Sequence, residues 1–143
     1  MYEFEFRKMN KIQIEEDLAK IGETPETLLE MAQIGTVDDT ILIKVYSKEG
    51  PIPHFHFYET QSCRQGCIKI LEASYFTHGH YLDDLKRDER EELVKWLKEL
   101  DQDSVEQGVP MTHWKSICLE WNKNNPMYKL KNPNPPIPDY TKL

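Results

Sequence analysis

The chain has 143 residues, and its 25 acidic residues outnumber its 18 basic residues, which gives a formal charge of −7. This length corresponds to one domain, and this charge argues against sequence-independent phosphate binding, because such proteins spread cations over one face. No apolar run approaches the ~18 residues that a membrane span needs, and the acidic first residues are unlike a signal peptide. Three cysteines are too few for a disulfide scaffold. The composition therefore predicts a cytoplasmic protein that does not bind membranes, and its charge argues against nucleic acid as a partner.

Residues 1–38 are predicted to form an acidic N-terminal extension with a short strand and a helix. Alternating apolar residues near the start indicate the strand. Thr24 and Pro25 supply a capping hydroxyl and a proline suited to the first helical position. The helix is predicted to run from there through Ala32 and to end at Gly35.

Residues 39–122 are predicted to form an α+β core that begins with a small antiparallel three-stranded meander. The stretches at residues 40–46, 53–58 and 67–72 are rich in β-branched and aromatic residues, which is typical of strands. Short polar connections between them favour antiparallel neighbours.

Two C-terminal amphipathic helices are predicted to pack on one face of this meander. Asp88 and Glu91 are spaced like a capping box at the start of the first helix, and Pro110 precedes the second. Apolar residues recur on one face of each helix, which indicates packing against a core. These residues are Leu93, Trp96, Leu97 and Leu100 in the first helix, and Trp114, Ile117, Cys118 and Trp121 in the second.

Residues 123–143 are predicted to form an extended, proline-rich tail, because five of the nine prolines lie in the last 18 residues. Such a stretch has no internal hydrogen bonds. Docking on its own domain, disorder, and binding of a partner through Pro135, Pro136 and Tyr140 are alternatives that the sequence leaves open.

Four histidines are the main candidates for binding a ligand or a metal ion. His54 and His56 stand two apart on a predicted strand, so their side chains point to the same side and could share one metal ion. His78 and His80 follow the third predicted strand, and the sequence does not fix whether they lie beside the first pair. The alternative is that the pair supports loops or stacks on neighbouring side chains. Carboxylates available to complete a site are Glu59, Glu72, Asp83 and Asp84.

Cys63 and Cys67 are weaker zinc candidates. Their spacing lies in the loose range for paired zinc ligands, but the more diagnostic Cys-x-x-Cys is absent from the sequence. The alternative is that Cys67 is a small core residue and Cys63 a loop thiol. The sequence thus leaves open whether the protein binds zinc or another divalent metal as a cofactor.

The sequence contains no pattern that identifies a reaction. It has no Gly-rich phosphate loop, no His-Glu-x-x-His and no Gly-x-Ser-x-Gly. These absences favour a protein that is not an enzyme.

The segment from Pro51 to His56 resembles a Pro-Pro-His-Phe-His motif that opens a strand in an uncharacterised family of small bacterial proteins, a domain of unknown function. Here Ile52 displaces one proline of the doublet. A preceding strand that ends in Tyr-Ser and a later tryptophan-containing helix follow in the same order, so the resemblance covers roughly residues 40–122. Family members are encoded by bacteria and mobile elements beside a second small protein, which implies a toxin–antitoxin-like arrangement but no reaction.

Three functions follow as hypotheses. The first is a small acidic binding protein of bacterial or phage origin that acts through a protein partner, as in a toxin–antitoxin or defence-related pair. The second is a metal-dependent hydrolase or nuclease built on His54 and His56 with His78 or His80. The third is a structural zinc-binding module. A homodimer is compatible with each of them.

Overall fold

The structure is a computed structural model that describes residues 31–143. Within this range, four antiparallel strands that pair in chain order are followed by three α-helices. The strands are β1 (Ala32–Val37), β2 (Ile41–Val45), β3 (His54–Glu59) and β4 (Arg64–Lys69). The helices are α1 (Arg87–Leu97), α2 (Gln102–Glu106) and α3 (His113–Asn124). None of these helices has the length and the apolar character needed to cross a bilayer.

The α+β class is confirmed, but the sheet has four strands rather than three. The predicted N-terminal helix included Ala32 and ended at Gly35, whereas both residues lie in β1 and β1 pairs with β2. The remainder of that helix and the strand predicted before it lie outside the described residues. All five residues of β2 are buried, so water cannot reach their backbone N–H and C=O groups. A strand on each side of β2 supplies the hydrogen-bond partners that these groups need. This requirement outweighs the helical signals that precede Ala32.

The two amphipathic helices are present, with shifted ends, and the short helix α2 was not predicted. The backbone N–H of Lys86 donates to the Glu89 carboxylate at 2.7 Å, so this pair, rather than Asp88 with Glu91, caps α1. Because α1 ends before Leu100, that side chain leaves the apolar stripe and is exposed.

The core lies between one face of the sheet and the helices. Phe55 and Phe57 of β3 point into it, together with the buried stripes of α1 and α3. Gly35 allows the indole of Trp96 to lie against the sheet, because a Cβ at this glycine would come within 2.8 Å of Cζ2 of Trp96. Since side chains alternate along a strand, His56 faces the opposite side from Phe55 and Phe57. One strand thus serves the core and a polar cluster at once.

The proline-rich tail packs on the domain. Tyr140 is fully buried, and its hydroxyl donates to the carbonyl oxygen of Lys69 at 2.7 Å. The indole N–H of Trp114 donates to the carbonyl oxygen of Pro135 at 2.7 Å, and Leu130 is also buried. Of the alternatives left open by the sequence, the structure has the tail docked on its own core.

Candidate metal centre

Three histidines and one glutamate converge at the end of the sheet where β3 begins. Glu49, His54, His56 and His78 each offer one ligand atom, and these four atoms all lie within 4.8 Å of one another. Glu49 lies on the turn between β2 and β3, and His54 and His56 lie on β3 itself. His78 comes from the segment that follows β4.

The segment after β4 reaches the site because it folds back along that strand. The N–H of Phe76 donates to the carbonyl oxygen of Cys67 at 2.9 Å, and the N–H of Asp83 donates to that of Gln65 at 2.9 Å. These bonds fix both ends of the segment against β4. His78 lies between them and is thereby held over the two histidines of β3.

The Glu49 carboxylate is the centre of the cluster. Its Oε1 lies 2.6 Å from Nε2 of His56 and 3.7 Å from Nε2 of His54, and its Oε2 lies 2.8 Å from Nε2 of His78. Three Nε2 atoms therefore face a single carboxylate. Glu49, His54 and His56 are largely shielded from solvent, whereas the side chain of His78 is 38% exposed and forms the open rim.

The hydrogen bonding of His54 fixes which of its nitrogens carries a proton. Nδ1 lies 2.7 Å from the carbonyl oxygen of Ile52, so Nδ1–H donates there. In the neutral ring, Nε2 then carries a lone pair. This atom is buried and has no hydrogen-bond partner among the described residues. A histidine that donates one N–H to a backbone carbonyl and presents its other nitrogen is typical of metal ligands.

Burial and charge give the cluster the protonation state that metal binding requires. Burial alone would raise the pKa of Glu49, but the charge that His54 and His56 carry when protonated lowers it by more, so the net pKa lies well below the usual range. Burial lowers the pKa of His56 despite the opposing effect of Glu49. At neutral pH the cluster therefore offers an ionised carboxylate and a neutral imidazole.

Aromatic rings surround the histidines and limit the water that reaches them. The rings of Tyr46 and Tyr81 each lie 4.6 Å from that of His56, and the ring of Phe76 lies 4.6 Å from that of His54. Burial raises the pKa of both tyrosines, so their phenols stay protonated and are poor metal ligands at neutral pH. The rings therefore shield the histidines and do not add metal ligands.

Cys67 lies beside the cluster, and Cys63 does not. The Cys67 Sγ is 3.4 Å from Nδ1 of His56, its register partner across the sheet. Burial raises the pKa of the Cys67 thiol to about 12, so the thiol stays protonated and contacts the His56 ring without offering a thiolate ligand. Cys63 is exposed on the β3–β4 turn. Neither cysteine belongs to the four-residue group found within the described range.

The other predicted site residues lie elsewhere. His80 is exposed and outside the cluster. Of the three candidate partner-binding residues, Pro135 and Tyr140 are buried in the domain and Pro136 is exposed. The four carboxylates considered from sequence have other surroundings: Glu59 accepts the N–H groups of the β3–β4 turn, Asp83 accepts the N–H of Gln65, and Glu72 and Asp84 are exposed.

Glu49 is not among the ligand candidates predicted from the sequence, because it lies in one of the short polar connections between the predicted strands. A signal was present, because Glu49 precedes Gly50 and Pro51 and lies only five positions before His54. Two residues with positive φ in this turn, Lys48 (57°) and Gly50 (82°), bend the chain so that the carboxylate returns over the histidines of β3.

Comparison with protein-family models, curated proteins and solved structures gives no match to this chain. The candidate site is therefore interpreted from its own geometry.

Proposed function

We propose that this protein binds a divalent transition-metal ion through Glu49, His54, His56 and His78. The observation that carries the proposal is the buried Nε2 of His54, which has no hydrogen-bond partner in the described chain and faces a carboxylate oxygen 3.7 Å away. A lone pair and a carboxylate oxygen repel each other, and a buried polar atom without a partner is costly. A cation bound between them removes both penalties.

The donor set defines the class of metal. Three imidazole nitrogens and one carboxylate suit zinc, iron, manganese, cobalt or nickel, whereas calcium and magnesium prefer sites made of oxygen. Ligand atoms about 2.0 Å from a tetrahedral zinc ion lie about 3.3 Å apart. With Oε1 of Glu49 as the ligand atom, its 2.6 Å distance to Nε2 of His56 would lengthen by about 0.7 Å and its 3.7 Å distance to Nε2 of His54 would shorten by about 0.4 Å.

The test is a zinc titration of metal-stripped protein by calorimetry, with elemental analysis of the loaded sample. We expect one zinc ion per chain and a loss of at least tenfold in affinity for His54→Ala and for Glu49→Gln, because each removes one ligand. His80→Ala is the matched control, since this histidine lies outside the cluster, and its affinity should equal that of the wild type. Equal affinities in all four proteins would contradict the proposal.

Metal-dependent hydrolysis is a second candidate. Four protein ligands would fill a tetrahedral zinc site, so hydrolysis requires water to enter as a fifth ligand or in place of His78, whose side chain is 38% exposed. A structural zinc ion is closed off by its ligands, whereas a catalytic one keeps a position for water. The apolar core on the other face of the sheet also gives the fold support that does not depend on metal. We expect the zinc-loaded protein to cleave an activated phosphodiester or ester faster than Glu49→Gln does. Equal rates, together with unfolding on chelation, would instead indicate the structural role.

Action through a protein partner remains a prediction from sequence. Because the tail is docked, Pro135 and Tyr140 are buried and are not part of the surface that a partner protein would contact. Capture experiments with a co-encoded small protein would test it.

A further inference from the structure

The turn that carries Glu49 is held by a residue distant in the sequence. Asn125 follows the last residue of α3 and is 3% exposed. Its Nδ2 donates to the carbonyl oxygen of Tyr46 at 2.9 Å, and its Oδ1 accepts the backbone N–H of Glu49 at 3.1 Å. One side chain thus bonds to both sides of the bend at Ser47 and Lys48.

We propose that Asn125 is a positioning residue that sets the place of the Glu49 carboxylate, and thereby the affinity and coordination geometry of the metal ion. This inference rests on the metal-binding function proposed above. Asn125 touches no ligand atom itself. It acts through the backbone of the residue that supplies the carboxylate.

The side chain of Asn125 is not needed to cap its own helix. The backbone N–H of Asn125 closes the end of α3 by donating to the carbonyl oxygen of Trp121 at 2.8 Å. Both polar atoms of the side chain are directed at the β2–β3 turn instead. A buried amide is costly unless it is hydrogen-bonded, and here both of its polar ends have partners in this turn.

The turn needs support from outside because its own conformation is unfavourable. Lys48 has a φ of 57°, in the left-handed region, which is unfavourable for a residue with a Cβ. Such a conformation persists when the surroundings over-determine it. Asn125 bonds to Tyr46 on one side of Lys48 and to Glu49 on the other, so it holds the chain across the bend.

The same end of α3 also supports a second ligand. Trp121 lies four positions before Asn125, and residues four apart share a helix face. Its ring centroid is 5.4 Å from that of His54, and its indole N–H donates to the carbonyl oxygen of Tyr128 at 2.9 Å. Glu49 and His54 are therefore both positioned by the last turn of α3. Residues that support metal ligands in this way commonly change metal affinity 10–100-fold when they are replaced.

The experiment compares zinc affinity and the visible spectrum of the cobalt(II)-substituted protein in the wild type and in Asn125→Ala. We expect the affinity to fall by about 10–100-fold and the cobalt bands to shift, because the Glu49 oxygen leaves its place. A purely structural asparagine would lower the melting temperature without changing the spectrum of the folded protein. Asn125→Leu, which keeps a branched side chain but removes both of its hydrogen-bonding atoms, provides a second variant if the alanine variant does not fold.

Asn122→Ala is the matched control. The Asn122 side chain also lies near the end of α3, and its Oδ1 accepts a backbone N–H at 2.7 Å, but from Leu130 in the tail. We expect this variant to lose stability and to keep the wild-type zinc affinity and cobalt spectrum. If the wild type binds zinc and the Asn125 and Asn122 variants do so equally well, the positioning role is wrong. If the wild type binds no zinc, the metal-binding proposal itself fails.

Discussion

Replacing Tyr140 tests whether the tail is part of the core. Its side chain is fully buried against Phe55, with ring centroids 5.9 Å apart, and its hydroxyl donates to the carbonyl oxygen of Lys69. Truncating a buried aromatic side chain to alanine costs about 3–5 kcal/mol. The lost hydrogen bond contributes about 1 kcal/mol on its own, which is the loss we expect for Tyr140→Phe. A domain of this size has a free energy of unfolding of about 5–15 kcal/mol, so Tyr140→Ala should remove a large share of it.

Urea unfolding followed by tryptophan fluorescence measures both losses. With a denaturant dependence of about 2 kcal/mol per molar, Tyr140→Ala should lower the midpoint by roughly 2 M and Tyr140→Phe by roughly 0.5 M. Tyr128→Phe makes the same chemical change at an exposed tyrosine and should leave the midpoint unchanged. A wild-type midpoint for Tyr140→Ala would refute the docked tail and restore the tail as a free partner-binding segment.

Three further predictions concern packing, an ion pair and pH. Gly35→Ala should lower the free energy of unfolding by about 1–3 kcal/mol in urea melts, because the new Cβ would overlap the indole of Trp96. Arg64→Met should lower the free energy of unfolding by about 1–2 kcal/mol, because the guanidinium donates two hydrogen bonds to the Glu89 carboxylate, at 3.0 Å and 2.7 Å. These bonds anchor the β3–β4 turn to α1, and a double-mutant cycle with Glu89→Gln measures their coupling energy. Zinc affinity should be constant above pH 7 and fall only below the ordinary histidine pKa of about 6.5, because protons then compete with the metal ion for His56. Burial lowers the pKa of His56, so its ring takes up a proton at a more acidic pH than an exposed histidine does. Zinc titrations at several pH values measure the effect, and an affinity that does not fall in acid would contradict this reasoning.

Local patterns predicted most of the described fold. The apolar stripe of α3 is buried as expected from its helical spacing, and β2 and β3 lie where β-branched and aromatic residues cluster. The error at β1 has a physical reason, because Thr24 and Pro25 signal a helix start but nothing local signals its end before Ala32. The need of β2 for a second hydrogen-bonded neighbouring strand arises only in the assembled sheet, so no local pattern around Ala32 shows it.

The candidate site could be predicted only in part. The two-residue spacing of His54 and His56 places both rings on one side of a strand, which a sequence shows directly. The choice of His78 over His80 depends on how the segment after β4 folds back, and a shift of one residue would have moved the ring away. Asn125 lies 76 positions from Glu49, and an asparagine before a proline otherwise marks the end of a helix. No local pattern links these two residues.

The buried hydroxyl of Tyr140 also bears on how the protein folds during synthesis. It joins the core at Lys69 across 71 positions of chain, so the sheet and all three helices leave the ribosome before the residue that closes them. Until then, the apolar surface around Phe55 stays partly uncovered, and exposed surface of this kind favours aggregation. Released chains that are truncated before Tyr140 should therefore be cut readily by protease and bound by chaperones, whereas the 143-residue chain should resist both.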